Sequence, residues 1–497
     1  MGAFNTIEPH CNILPPEQVG GKAFNLMKLH NIKGINVPNG FVLSTELCFE
    51  DCITAGTGFT KYDKVGIKVQ AFVRWLANQR DKTWNDDCGT PLIVSARSGA
   101  PISMPGMMDT ILNIGVTSGN LQMLPSEKFA YDAYRRLIQM YGTTVAGIPG
   151  EEFKDILEAC KTFYLTFDEE SNKLMVDKFK SIYKKHVGLA FPDDANEQLL
   201  SAINAVFLSW NSERAKTYRK IEGISDDLGT AAVVQEMVFG NIDSTSGTGV
   251  AFSHNPITGE PALYGDFLAN AQGEDVVAGT HNTVPITKMG SLDEFKTVYD
   301  ELEKTVKRLS DIENEILDIE FTIESGKLYI LQQRKAKRTT KASVCFYTES
   351  VKSGALSPED AASKLMDLLP KEKGAANIEG LICVGNGIGA TDGTVAAPIA
   401  IGHEEAKKFI SKNQNYIYVA KETDVEDVEY MAKAVGILTA KGGVVSHAAI
   451  IAINWNKPAV VGFSEMKVTA KEAVIAGKSL KSGDLIKINA STGEVWA

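Results

Sequence analysis

The apolar residues of this chain change their period three times, and that succession limits the folds open to it. Between "GGKAFNLMKL" (20–29) and "PLIVSARSGA" (91–100), apolar runs alternate with amphipathic stretches, as in an α/β fold. From about 120 to 222 the spacing is helical, in "EKFAYDAYRRLIQMYGTTV", "EEFKDILEACKTFYLTF" and "EQLLSAINAVFLSWNSERAKTYRKI". Strand-like runs return in "TAAVVQEMVFG" (230–240) and "ILDIEFTIESGKLYILQQR" (316–334), the second broken by a turn signal at Ser325-Gly326 that predicts a hairpin. A polar boundary at 337–344 and a short helix within 356–370, with Ser357 at its cap and Pro358 at its first position, lead to a glycine-rich and then β-rich C-terminal part. One core does not hold 497 residues, so the pattern reads as an α/β and α+β multidomain protein.

The charge balance, 51 basic against 62 acidic residues for a net −11, argues against a broad nucleic-acid or anionic-lipid surface. An anionic substrate therefore needs local cations, backbone N–H groups or a metal. Seven cysteines without a C-x-x-C pair fit reduced thiols and a cytoplasmic setting. The start shows no signal-peptide pattern, and no stretch has the roughly 20 apolar residues of a membrane span. Gly2 and Thr6 match a myristoylation pattern, but no polybasic stretch accompanies them, and the match reads as chance.

Four places have the residue types that phosphate chemistry uses. The stretch 240–260, "GNIDSTSGTGVAFSHNPITGE", reads as a loop whose glycines let backbone N–H groups approach phosphate oxygens, though it fits neither the Walker nor the Rossmann pattern. Lys22 follows Gly20-Gly21 before a helical pattern. Arg97 ends an apolar strand, where its planar fork suits a phosphate. In "DIEF", Asp318 and Glu320 stand two apart on a predicted strand and so share one face, with Gln332 and Arg334 of the return strand able to face the same place. Paired carboxylates call for a cation, and Mg²⁺ suits them; a solvated strand face is the bland alternative. Finally, "KGGVVSHAAIIA" places Ser446 as an N-cap and His447 as the first helical residue, where a phosphoryl group on the ring would meet free N–H groups and the positive helix end.

Six stretches, "PLIVSARSGAPISMPGMMDTILNIG", "VVQEMVFGN", "SGTGVAFSHNPITGE", "NAQGEDVVAG", "DIEFTIESGKLYILQQR" and "GILTAKGGVVSHAAIIA", resemble successive motifs of pyruvate phosphate dikinase, in the family's order and over nearly the whole chain. The resemblance implies an ATP-grasp nucleotide-binding domain at 1–336 with a helical insertion at about 120–222, a mobile linker at 337–380 and a swivelling β/α phosphohistidine domain at 381–497. It implies ATP and Mg²⁺ as cofactors and His447 as the phosphocarrier, with Lys22 and Arg97 on the triphosphate. It places adenine at Gln235, Glu236, Met237 and Val238, ribose at Glu274 and phosphate at Gly247, Thr248 and Gly249. Glu320 and Gln332 match metal and phosphate contacts, with Asp318 and Arg334 beside them.

The sequence also departs from the family. Val445 and Ile453 replace the usual Thr and Arg around the histidine, "THNT" (280–283) replaces an Arg-containing stretch, and "KPAVVGF" resembles the pyruvate, water dikinases. No counterpart of the family's pyruvate-binding barrel is expected within these 497 residues. The expected function is an ATP-dependent histidine phosphotransferase that converts ATP to AMP and passes phosphate from His447 to an acceptor. Inorganic phosphate is the expected partner, and pyruvate, through a separate barrel domain or chain, is one candidate acceptor. A phosphotransferase of the rifampicin type and a non-catalytic ATP-binding decoy are the alternatives.

Overall fold

The computed structural model of the chain describes residues 3–85, 88–104, 107–163, 168–277, 283–366, 381–443, 446–469, 472–475 and 477–497. Helices and several sheets alternate in a mixed α/β architecture, and the chain divides into two compact units, Met1–Val238 and Phe239–Ala497. This division falls at 238, inside the stretch expected as one nucleotide-binding domain.

Among the described residues, the first unit holds an antiparallel sheet of β1 (Phe4–Ile7), β2 (Gly40–Leu43), β3 (Val94–Gly99), β4 (Thr110–Ile114) and β5 (Ala231–Glu236), in the order β1-β2-β5-β3-β4. β5 is buried along its length, and β3 lies between it and β4, so Arg97 stands on an inner strand. The stretch expected to be helical holds Glu127–Thr144, Gly150–Phe163, Glu169–Val187, Ala195–Ser209 and Glu213–Glu222. Ser126, Asp168, Asp194 and Ser212 start four of these by accepting a hydrogen bond from a first-turn N–H, each cap contributing about 1 kcal/mol. Rings join them: Phe191 lies 6.0, 5.3 and 5.3 Å from Tyr134, Tyr141 and Tyr183.

The second unit opens with an antiparallel sheet of β6 (Gly247–Phe252), β7 (Tyr264–Ala269), β8 (Val284–Pro285), β9 (Leu317–Glu324) and β10 (Lys327–Lys335), in the order β10-β9-β6-β7-β8. The predicted hairpin is there. Ser325 and Gly326 turn it with φ of +47° and +76°, as a two-residue turn between twisted strands requires.

The reading of 240–260 as a loop is corrected: Gly247, Thr248 and Gly249 form the start of the fully buried β6. Their glycines answer to packing, because a Cβ on Gly247 would lie 2.6 Å from the Phe267 ring and one on Gly249 would lie 2.7 Å from the Phe321 ring. The loop proper, 240–246, is organised by Asp243, whose carboxylate accepts from Thr245 N–H and from the hydroxyls of Thr245, Ser246 and Ser325. Those bonds hold the Asp243 carboxyl down at about 2.

The stretch expected as a linker is 337–380. It contains helices Thr340–Lys352 and Pro358–Met366, while 367–380 lies outside the described residues. The first is started by the Thr339 hydroxyl, and just before it Arg338, half-buried, pairs with Glu315 and donates to the Tyr347 hydroxyl at 2.9 Å. The second begins as expected, with Ser357 Oγ accepting from Asp360 N–H at 3.0 Å.

The C-terminal part is built on β11 (Cys383–Asn386), β12 (Ile388–Gly389), β13 (Thr394–Ile401), β14 (Ile417–Ala420), β15 (Gly436–Thr439), β16 (Ala459–Val461), β17 (Met466–Val468), β18 (Ala473–Ile475), β19 (Lys478–Leu480), β20 (Leu485–Asn489) and β21 (Glu494–Trp496). One sheet runs β11-β21-β20-β13-β14-β15-β16-β12, with β13 to β16 parallel, and β17-β18-β19 form a second. Parallel neighbours need crossovers, and helices Gly402–Ser411, Val428–Lys433 and His447–Asn454 supply them. Ile399, Ile417, Leu438, Val460, Ile486 and Ile488 fill the core beneath.

Candidate functional site

In the first unit, Lys22 and Arg97 meet through two glycines. Helix Pro16–His30 is kinked at Gly20, whose φ and ψ of 76° and 157° leave Lys22 two residues past the break. The kink lets the chain lie against the end of β3: Gly21 N–H donates to Ala100 O at 3.0 Å, and a Cβ on Gly99 would lie 3.6 Å from Lys22 Cβ. Gly99 and Arg97 are two apart on β3 and share a face, so the half-buried Lys22 and Arg97 stand on one side of the sheet.

The four residues expected at adenine continue from β5. Gln235 donates its side-chain amide to Pro38 O at 3.0 Å, and the buried Glu236 carboxylate is taken by Arg80 and Lys82, at 2.8 and 3.0 Å. Those two side chains are committed to the fold. The Met237 N–H donates to Ile93 O at 2.9 Å, while the Val238 N–H has no partner among the described residues.

In the second unit, the β9–β10 register brings together the carboxylates and their partners as expected. Gln332 lies opposite Glu320 and Arg334 opposite Asp318, past a bulge between Ile330 and Gln332. Directly paired residues in an antiparallel sheet point to one face, so all four side chains share it. Gln332 Nε2 donates to Glu320 Oε1 at 3.4 Å, and Arg334 Nε donates to Asp318 Oδ2 at 2.6 Å. Burial pushes the Asp318 carboxyl up, opposed by Arg334, and the two carboxylates keep the Arg334 guanidinium charged despite its own burial.

The Asp318 Oδ1 and Gln332 Oε1 atoms are buried without a hydrogen-bond donor among the described residues. Two orphaned acceptor oxygens beside the half-buried Glu320 carboxylate fit a hard divalent cation that takes few protein ligands and fills its remaining positions with phosphate and water. Among the described residues no cluster of three His, Cys, Asp or Glu side chains forms a metal cage.

Glu274 lies half-buried in the short helix Gly273–Val277. Gly247, Thr248 and Gly249 have their backbones engaged by β7 on one side and β9 on the other, and the Thr248 hydroxyl donates to Phe321 O at 3.0 Å. The three positions expected at phosphate thus lie on an inner strand, between β7 and β9.

The register adds a residue that sequence reasoning missed. Across β6, Val250 pairs with Glu320 on one side and with Asp266 on the other, so Asp266 shares the face of Glu320 and Gln332. It is buried, its Oδ2 lacks a donor among the described residues, and burial pushes its carboxyl up against a bond from Thr283. A Cβ added to Gly443 would meet that Oδ2 at 2.9 Å, so the segment leading to His447 lies against this face.

His447 begins helix His447–Asn454, and the Ser446 hydroxyl accepts from Ala449 N–H, both as expected. Gly442 has φ of +110°, and a Cβ there would lie 2.9 Å from Ser446 Oγ, so the tight approach to the cap requires glycine. Both ring nitrogens of His447 are buried without a hydrogen-bond partner among the described residues, and burial lowers its pKa to about 4. The ring is therefore a neutral base at neutral pH. Of the two departures beside it, Ile453 stands in the same helix and Val445 lies outside the described residues, as do 280–282 of "THNT".

Residues 68–298 match the family model of the pyruvate phosphate dikinase AMP/ATP-binding domain, and 412–493 match that of the PEP-utilising enzyme mobile domain. The pyruvate, phosphate dikinase of Clostridium symbiosum is 39% identical over 96% of this chain and 56% of its own length. That of Giardia intestinalis is 38% identical over 98% and 57%, and the chloroplastic enzyme 1 of Zea mays is 38% identical over 96% and 51%. The chain thus spans about half the length of the curated relatives it matches. By these matches it belongs to the pyruvate phosphate dikinase family.

Proposed function

We propose that the chain is an ATP-dependent histidine phosphotransferase, with Mg²⁺ as its metal and His447 as the phosphocarrier. The observation that carries this reading is the His447 ring at a helix start, neutral and with both nitrogens unpartnered among the described residues. A structural histidine in such surroundings spends its nitrogens on hydrogen bonds. A nucleophile needs a free lone pair, and a helix N-terminus stabilises the phosphoryl group it acquires.

In the proposed reaction a ring nitrogen attacks the β-phosphorus of ATP. The bond from that phosphorus to the α-bridging oxygen breaks, AMP leaves with the electron pair, and a pyrophosphoryl group stays on the ring. Inorganic phosphate then attacks the terminal phosphorus and departs as pyrophosphate, leaving phosphohistidine. Lys22 and Arg97 balance triphosphate charge, the segment 235–238 holds adenine through its backbone, and Glu274 holds ribose. Asp318, Glu320, Gln332 and Arg334 hold the metal and the phosphate oxygens. Mg²⁺, when bound, supplies charge neutralisation at the phosphates. The relatives' name makes phosphate and pyruvate the acceptors to test first, and a cytoplasmic setting goes with this reading.

Incubation with β-³²P-ATP and Mg²⁺ is expected to label the protein in an acid-labile, base-stable form, and His447→Ala to abolish the label. Absence of label from the unaltered chain, or label surviving the substitution, overturns the reading.

A further inference from the structure

Beside a helix that packs against the histidine's own helix lies a carboxylate that the proposed reaction leaves unused. Asp427 immediately precedes helix Val428–Lys433, which packs against helix His447–Asn454. Its buried side chain is held from three elements: His403 Nε2 of helix Gly402–Ser411 donates at 2.7 Å, the Tyr418 hydroxyl of β14 donates to the same oxygen, and Asp424 N–H donates to the other at 2.7 Å. His403 stacks on Tyr430 at 4.5 Å, so the donor is itself fixed. A helix cap needs one such bond, and this carboxylate has three. Of the other charged groups nearby, the Asp424 carboxyl is pushed up by burial and by Asp427, and Lys441 lies 3.6 Å from Glu422.

The proposal rests on the phosphotransferase reading. We propose that Asp427 is a positioning residue for His447: locked by Tyr418, His403 and the Asp424 N–H, its charge stabilises the imidazolium character that the ring acquires as it takes up a phosphoryl group. It touches no reacting atom and exchanges no proton. The carboxylate acts through space, which agrees with its raising the proton affinity of His447 against the effect of burial.

The test uses the full chain and Asp427→Asn, which keeps the shape and removes the charge. Two quantities are read: the titration midpoint of the His447 ring by ¹⁵N NMR without nucleotide, and the initial rate of labelling from β-³²P-ATP. The midpoint is expected to fall by about one unit and labelling to slow about tenfold, one unit of proton affinity being a factor of ten. Asp427→Glu is expected to restore part of both. An unmoved midpoint overturns the proposal even if labelling slows, because a purely structural role predicts that pattern. If the unaltered chain is never labelled, the phosphotransferase reading fails while the midpoint still tests the electrostatic link. Should Asp427→Asn not fold, His403→Gln removes one of the three bonds from a more exposed position, and it is expected to slow labelling two- to threefold; no change in midpoint or rate then overturns the proposal.

Discussion

Replacing Gly20 or Gly21 with alanine makes the same chemical change one residue apart, and the structure predicts opposite outcomes. Gly20 has φ of +76° and ψ of 157°, a region open essentially to glycine, and an alanine held there costs about 1–3 kcal/mol in backbone strain. Its Cβ would also lie 1.6 Å from the Gly99 carbonyl oxygen. Helix and strand must then separate by about 2 Å to reach ordinary contact distance. That retreat breaks the Gly21 N–H to Ala100 O bond, a further ~1 kcal/mol. Gly20→Ala is therefore expected to destabilise the first unit by about 3 kcal/mol and to move Lys22 away from Arg97, weakening ATP binding.

At Gly21 a Cβ would meet only Pro101 O at 3.3 Å and Ala100 O at 3.4 Å, without a left-handed φ. Gly21→Ala should be neutral or stabilising by up to about 1 kcal/mol, since alanine has less backbone entropy to lose in a helix. Urea midpoints followed by tryptophan fluorescence suit the comparison, because Trp75, Trp84 and Trp210 lie in the first unit. Equal midpoints for Gly20→Ala and the unaltered chain, or an equal loss in both variants, would refute the packing argument.

Arg334→Met leaves Asp318 buried beside Glu320 without its partner and should cost about 3–5 kcal/mol by urea unfolding, with Asp318→Asn in the same chain recovering part. That cost should shrink as pH falls, because a protonated Asp318 no longer needs the guanidinium; an additive double variant would contradict the pairing. Glu320→Gln should raise the Mg²⁺ concentration needed for half-maximal labelling about tenfold while leaving the urea midpoint nearly unchanged, and an unaltered Mg²⁺ requirement would place the metal elsewhere. The depressed Asp243 carboxyl favours the folded loop above its unfolded pKa near 4 and loses that contribution as pH falls through about 2. Protection of the Ser246 and Ser325 amides, corrected for intrinsic exchange, should fall over that interval and should not change with pH in Asp243→Asn. Because His447 is held near 4, its availability for labelling should not fall between pH 7.5 and 5.5, where an ordinary imidazole would protonate; a steep decline governed by His447 would show that the ring is not desolvated.

The carboxylate face was legible because its information is local. A two-residue period and a Ser-Gly turn place Asp318, Glu320, Gln332 and Arg334 together within one hairpin, and Ser446 announces the helix that His447 begins. Asp266 was not legible, since its place on that face depends on β6 pairing with strands on both sides, contacts that span more than fifty residues between Asp266 and Glu320. Gly247 and Gly249 misled for a related reason. Glycine and threonine read as loop residues until the Phe267 and Phe321 rings are known to occupy the space where side chains would be. The polar stretch after Arg334 likewise hid a helix, whose start depends on the Thr339 cap and on Arg338 reaching back to Glu315.

The approach of Gly443 to Asp266 brings a hydrogen atom, not a side chain, to the carboxylate face. At that point the histidine-bearing loop gains nearness without grip, because glycine has no side chain to bury there. In the proposed cycle the carrier has to leave once it is loaded, and a residue that fits closely while adhering weakly favours brief visits. A larger side chain at 443 would obstruct arrival, whereas a stickier one would delay release, and glycine limits the dwell time on both counts.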